Sequence, residues 1–115
     1  MNKIKKIELL SPVGDERGLK AAVNSGANGV YFGAKSFNAR EYAAENFDDK
    51  TIENAIKFAK LRNVKVYITV NTIIKNNEVN EFLSMIDDCV NAKVDAFIIQ
   101  DYGVAYLLKN RYKDI

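Results

Sequence analysis

The sequence predicts an α/β fold of about four β/α repeats with parallel strands, the N-terminal half of a TIM-barrel-like structure. Short apolar strands alternate with helical stretches along the whole chain. Residues 23–33 align with residues 90–100, an offset of 67 residues that equals two β/α units. No Pro/Gly-rich linker divides residues 1–115, so we expect a single domain. An open four-stranded sheet is the competing architecture.

The composition limits the classes of function. Hydrophobic residues make up 48% of the chain, enough for a core, and a net charge of +2 is too small to make nucleic acid an obligatory partner. We expect a cytoplasmic protein, because no apolar run approaches the ~20 residues of a membrane span and no secretory signal opens the chain. The single cysteine and the absence of histidine exclude an internal disulfide, a cysteine-held zinc or iron–sulfur site and a Ser-His-Asp triad within these residues. We therefore expect no metal and no cofactor bound by this chain alone.

The first two units have clear boundaries. Residues 7–10 form a short apolar strand that Ser-Pro closes. Asp15 is expected to cap the next helix, with Glu16 adding negative charge near the positive end of its dipole. Gly26 suits the left-handed position that ends a helix, and residues 29–33 form the second strand.

The remaining units follow the same alternation. Asp48 or Asp49 is expected to start the second helix, because both are good residues for a helix N-terminus. Apolar spacing then predicts a strand at 64–70, a helix at 78–92, a strand at 96–100 and a last helix near 104–110.

Alternation along the strands predicts which side chains face the barrel lumen. Val66, Ile68 and Val70 form an apolar face that should meet the helices. The opposite, inward face then holds Glu8, Leu10, Tyr31, Gly33, Lys65, Tyr67, Thr69, Asn71, Ile98 and Gln100. A carboxylate inside the barrel needs a partner, and we expect Lys65 or Tyr67 to pair with Glu8.

The connection over residues 33–47 is the first candidate for a ligand site. Most α/β connections take two to six residues, and longer ones tend to be functional. It also follows a strand end, where parallel α/β folds bind their ligands. Arg40 within it offers a planar fork of donors for carboxylate or phosphate. The alternative is that Arg40 forms a salt bridge with Glu41 or Glu45.

Further polar candidates are expected at the carboxyl ends of the strands, which form one rim of the predicted barrel. Asn38, Asn71 and Gln100 each donate and accept hydrogen bonds, which suits the orientation of a polar substrate. Asp101 follows the fourth strand, where it is either a general base or metal ligand at the site or the cap of the next helix. Cys89 lies on an apolar helical stripe, which favours core packing over reactivity.

Four segments together resemble one known family. They are residues 8–15, residues 26–40 with 44–47, residues 66–72 and residues 95–103. In order and spacing they resemble the N-terminal part of the collagenase-like peptidases of unknown catalytic type, family thirty-two of peptidase class U. The resemblance covers essentially all 115 residues. It implies a TIM-type barrel and, for the full-length protein, peptidase activity.

The resemblance leaves three functions open. The first is a barrel fragment of a peptidase that orients a peptide or another small polar or anionic substrate through Arg40, Asn38, Asn71 and Gln100, with Asp101 and Glu8 as further contacts. The second is a hydroxylation factor for tRNA, rRNA or a ubiquinone precursor, some of which hold an iron–sulfur cluster on cysteines further along the chain. The third is a binding or assembly module without chemistry.

The resemblance also implies an incomplete barrel. A fifth strand would be expected to begin where residues 114–115 end this sequence, so we expect a fragment of a longer product and leave the catalytic residues unassigned. A half-barrel has two open edges. We therefore expect a homodimer in which the fourth strand of one copy pairs with the first strand of the other.

Overall fold

A computed structural model describes residues 7–33, 47–71 and 74–113. These residues form four strands that alternate with four α-helices, as the periodicity predicts. The elements are β1 (Leu10–Pro12), α1 (Glu16–Asn24), β2 (Gly29–Gly33), α2 (Asp49–Leu61), β3 (Lys65–Val70), α3 (Val79–Asn91), β4 (Ala96–Ile99) and α4 (Tyr102–Arg111), with a 3-10 turn at Asn76–Glu78 before α3.

The strands form one open parallel sheet in the order β1-β2-β3-β4. Each new strand is added at the same edge, and the helix before it crosses over the same face. This consecutive order is that of successive strands in a (β/α) barrel, whereas a doubly wound sheet reverses direction part-way. The predicted α/β class with parallel strands is confirmed.

One face of the sheet packs against the helices and carries the core. Val30, Val66, Ile68 and Val70 are fully buried, in one cluster with apolar residues of all four helices. The opposite face is less covered: Leu10 at its β1 edge is 45% exposed. The predicted alternation of faces is therefore confirmed, with the helices on the side of Val66, Ile68 and Val70.

The predicted position of the first strand is wrong. The apolar run predicts a strand over residues 7–10, whereas β1 begins at Leu10 and ends at Pro12. The side-chain oxygen of Asn28 accepts the N–H of Leu9 at 2.8 Å, and the Leu9 carbonyl accepts from Asn28 and Gly29. Regular pairing starts only after this junction, so the apolar run at Ile7, which is 86% exposed, does not mark the strand.

The other boundaries agree with the prediction to within two residues, and the caps explain two of them. Asp15 Oδ1 accepts the N–H of Gly18 at 2.7 Å, which caps α1 as expected. Asp48 Oδ1 accepts the N–H of Thr51 at 2.8 Å, while Thr51 Oγ1 accepts the N–H of Asp48 at 3.0 Å. This reciprocal pair begins α2 where the two aspartates predict it.

The internal repeat of 67 residues is visible in the backbone. The helix α1 ends at Asn24 and α3 at Asn91, and β2 and β4 begin with the same offset. Two residues after each helix the backbone turns left-handed, with φ of 93° at Gly26 and 76° at Lys93. The second unit pair therefore repeats the first, although only one copy has the glycine that this position favours.

Candidate functional site

Two of the predicted polar residues lie at neighbouring positions on the carboxyl edge of the sheet. Asn71 and Gln100 each follow the last residue of a strand, and those last residues, Val70 and Ile99, pair with each other. The two amides therefore lie on neighbouring strands at the edge where parallel α/β folds bind ligands. Asn71 is half-buried and Gln100 is exposed. Each side chain carries an amide group, which has both donor and acceptor atoms.

The residues of the long connection cannot be added to this rim. Asn38 and Arg40 lie outside the described residues, as do Glu41 and Glu45, the alternative partners of Arg40. The expectation that Arg40 joins Asn71 and Gln100 therefore stays a prediction.

Asp101 shows the contacts of a helix cap. Its Oδ1 accepts the N–H of Gly103 at 2.7 Å, and its carbonyl accepts the N–H of Ala105 at 3.0 Å. The residue has extended backbone angles, as an N-cap requires. These are the hydrogen bonds that the capping interpretation of Asp101 requires. The helix α4 therefore begins at Tyr102, two residues earlier than predicted.

Glu8 forms a cluster at the opposite edge of the sheet. The Tyr67 hydroxyl donates to Glu8 Oε1 at 3.0 Å, and Lys65 Nζ lies 3.9 Å from Glu8 Oε2. Both partners predicted for Glu8 are therefore confirmed, although the carboxylate is 40% exposed rather than buried. Six residues of extended chain separate Lys65 from Asn71, roughly 20 Å. Glu8 thus lies far from the rim that holds the two amides.

A glycine makes room for this cluster. A Cβ atom at Gly29 would lie 2.8 Å from Glu8 Oε1 and 3.2 Å from the ring of Tyr67. Desolvation raises the pKa of Tyr67, and its hydrogen bond to the negative charge of Glu8 raises it further. The phenol therefore stays neutral and donates to the carboxylate, which fastens the segment before β1 onto β3.

Two ion pairs that sequence reasoning missed hold neighbouring units together. Lys60 Nζ lies 2.8 Å from Asp95 Oδ2, and the same oxygen accepts the N–H of Val66 at 2.7 Å. Arg111 donates to Asp87 at 2.7 Å and lowers the pKa of that carboxyl. The partners lie 35 and 24 residues apart, so no local pattern could have paired them.

The described side chains that are best able to bind a metal ion are those of Cys89 and of the aspartates and glutamates. Cys89 is fully buried in the core, which does not fit a cluster ligand, and it is the single cysteine of the sequence. No group of three His, Cys, Asp or Glu in residues 7–33, 47–71 and 74–113 is arranged to hold a metal ion. Over the same ranges, every helix is too short or too polar to cross a bilayer.

Comparison with known proteins decides the family. The model of peptidase family U32 matches residues 14–115. The chain belongs to peptidase family U32. It is 39% identical over 101 residues to an uncharacterized protease of Methanocaldococcus jannaschii, and 34% identical over 98 residues to a collagenase of Porphyromonas gingivalis. It is also 38% identical over 102 residues to tRNA hydroxylation protein P of Helicobacter pylori.

These relatives are much longer than this chain. The alignments cover 88%, 85% and 89% of the chain but only 25%, 24% and 24% of the three relatives, so it spans about a quarter of their length. A solved U32 peptidase has the same fold, with a TM-score of 0.71 over 97% of this chain and 48% of that one. At 13% identity that likeness concerns the fold alone. The resemblance drawn from the motifs is confirmed.

Proposed function

We propose that this chain is the substrate-orienting part of a family peptidase, in which Asn71 and Gln100 hold the main chain of a peptide. The observation that supports this most directly is their placement side by side at the carboxyl edge of β3 and β4. An amide side chain pairs with both the C=O and the N–H of a peptide group. The relatives named protease and collagenase favour peptide as the substrate class.

The contribution proposed for this chain is binding and orientation. Held between two fixed amides, a substrate keeps its scissile bond in one geometry, which lowers the entropic part of the barrier. Arg40 and Asn38 are proposed to complete the rim, with Arg40 pairing with a carboxylate of the substrate. The chain covers a quarter of its relatives, so the groups that break the bond are assigned to the rest of the protein.

Hydroxylation of an RNA base is the second candidate. It is favoured by the relative of Helicobacter pylori, which is named for tRNA hydroxylation and is as similar to this chain as the protease is. The same two amides suit it, because Asn and Gln also pair with the donor and acceptor edges of bases in unpaired RNA. The cysteines for an iron–sulfur cluster would have to come from outside this chain.

Nuclear magnetic resonance titration of the chain distinguishes the peptidase proposal from the RNA-hydroxylation candidate. The probes are a Gly- and Pro-rich collagen-like peptide and a tRNA anticodon stem-loop, and the readout is the side-chain amide signals of Asn71 and Gln100. We expect the peptide to move both signals. Asn71→Ala or Gln100→Ala should weaken its affinity by about 2- to 10-fold, the effect of one hydrogen bond, while the exposed Ser84→Ala on α3 leaves it unchanged.

Each other outcome has a meaning. If the stem-loop moves the two amide signals and the peptide does not, the peptidase proposal is wrong and the RNA candidate replaces it. If neither probe moves them while both variants remain folded, the orienting role of this rim is wrong.

A further inference from the structure

A single asparagine of the sequence stands directly before a glycine, in the pair Asn28-Gly29. An asparagine side chain loses its amide when the main-chain nitrogen of the next residue attacks it. Glycine hinders this attack least, because it has no Cβ atom to obstruct the approach. Asn28 is exposed, so water has access to its carboxamide. The pair therefore has the intrinsic chemistry of a deamidation site.

Both reacting groups of this pair are held by the main chain of Leu9. The Asn28 Oδ1 atom accepts the N–H of Leu9 at 2.8 Å, which fixes the carboxamide. The N–H of Gly29 donates to the Leu9 carbonyl at 3.1 Å, so the attacking nitrogen keeps its proton in a hydrogen bond. These bonds join the segment before β1 to the start of β2, which is the neighbour of β1 within this chain. They are therefore independent of what borders the outer edge of β1.

The fold needs both residues of the pair. The side chain of Asn28 positions Leu9 and so decides where β1 begins. A Cβ atom at Gly29 would lie 2.8 Å from Glu8 Oε1, so a larger residue there would displace the carboxylate. Glu8 in turn anchors the segment before β1, because its Oε1 accepts the hydroxyl of Tyr67 at 3.0 Å. The reactive pair and the segment that holds it are thus parts of one junction.

We propose that Asn28 is a deamidation site of the native protein, and that opening of the segment before β1 controls the rate. Once Leu9 has left, the nitrogen of Gly29 attacks Cγ of Asn28. The N–Cγ bond forms and the Cγ–Nδ2 bond breaks, and Nδ2 leaves as ammonia with the proton of the attacking nitrogen. Water then opens the cyclic imide at either of its carbonyls. Opening at Cγ gives aspartate, and opening at the other carbonyl gives isoaspartate.

The two products are expected to differ in their effect on the fold. Aspartate keeps the length of the main chain, and its carboxylate oxygen still accepts the N–H of Leu9. Isoaspartate carries the main chain through its Cβ atom and lengthens it. The carbonyl of Asn28 accepts the N–H of Lys65 at 2.9 Å, and Gly29 pairs with Lys65 in the register of β2 and β3. The longer main chain shifts this register, so isoaspartate should destabilise the sheet more than aspartate does.

Mass spectrometry after incubation at mildly alkaline pH tests the proposal. The chain is incubated either folded or unfolded in guanidinium chloride, and trypsin then releases residues 21–35, which contain the pair. Fragmentation of this peptide locates the small mass gain of an amide converted to an acid. We expect the folded chain to react about tenfold or more slowly than the unfolded chain, because the bonds to Leu9 must open first.

Two substitutions of one residue separate its main-chain role from its side chain. Leu9→Pro removes the N–H that holds Asn28 Oδ1 and should raise the rate in the folded chain by about 2- to 10-fold, the effect of one hydrogen bond. Leu9→Ala is the matched control, because it keeps the main-chain N–H and C=O, and it should leave the rate unchanged. Circular dichroism checks that both variants fold.

Three results would overturn the proposal. They are an unfolded chain that keeps the amide of Asn28, equal rates in the folded and unfolded chain, and a rate in Leu9→Pro no higher than in Leu9→Ala. Should Leu9→Pro fail to fold, Tyr67→Phe takes its place with the same expectation, because it removes the hydrogen bond that anchors Glu8.

Discussion

The carboxylate of Asp95 is expected to be one of the strongest polar contributors to this fold. It joins three parts of the molecule: Lys60 of α2, the main chain of β3 at Val66, and the start of β4. The N–H of Asp95 also donates to the carbonyl of Val66 at 3.0 Å, so the two residues bond in both directions. We predict that Asp95→Ala lowers the free energy of unfolding by about 2 to 4 kcal/mol.

The magnitude follows from the two contacts that alanine removes. Val66 is fully buried in the native chain, and the loss of the acceptor of its N–H is expected to cost about 1 to 3 kcal/mol. The pair with Lys60 is about 30% exposed on both sides and contributes about 1 kcal/mol at most. The main-chain bond is therefore expected to account for the larger share.

Urea unfolding followed by circular dichroism measures this effect. Lys60→Met is the control, because it removes the ion pair and keeps the bond to Val66, and we expect it to cost about 0.5 to 1 kcal/mol. Once Asp95 is alanine, the further substitution Lys60→Met should lower the free energy of unfolding by at most a few tenths of a kcal/mol. If Asp95→Ala and Lys60→Met destabilise the chain equally, the assigned role of the main-chain bond is wrong.

Further predictions concern the repeat and the Glu8 cluster. In urea unfolding, Lys93→Gly should stabilise the chain by about 0.5 to 1 kcal/mol and Gly26→Lys should destabilise it by about 1 to 2 kcal/mol, because both positions are left-handed; opposite signs would refute this. The pKa of Tyr67 is higher in the folded chain than its ordinary value near 10, so the protonated phenol stabilises the fold at every pH below 10. This stabilisation is lost as the pH rises through the raised pKa. Phenolate absorbance, compared with Tyr67→Phe, should show that Glu8→Gln lowers this pKa. Gly29→Ala should lower it as well, because the new Cβ displaces the carboxylate; an unchanged titration in both variants would contradict the assigned contacts.

Most of the fold could be predicted because its signals are local. Helical spacing, the cap at Asp15 and the turn at Gly26 each depend on a few neighbouring residues, and strand alternation then assigns the buried face. The first strand could not be placed this way. Its position is decided by the side chain of Asn28, 19 residues from its partner Leu9, and an apolar run alone does not reveal such a contact.

The candidate site was predictable only in part. Asn71 and Gln100 could be placed on one edge because each follows a strand, and parallel strands end on the same side. The partners of Glu8 followed from the same alternation. The ion pairs of Asp95 and Asp87 could not be predicted, since charged residues are spread over the whole sequence and only the packing of units selects which ones meet.

A double-mutant cycle on the two rim amides tests the central claim most directly. Peptide affinity is measured by calorimetry for the wild type, Asn71→Ala, Gln100→Ala and the double variant. If both amides hold one ligand, the loss of binding free energy in the double variant should differ from the sum of the two single losses by about 0.5 kcal/mol or more. Additive losses, or affinities that neither substitution changes, would contradict the claim that Asn71 and Gln100 act together on a substrate.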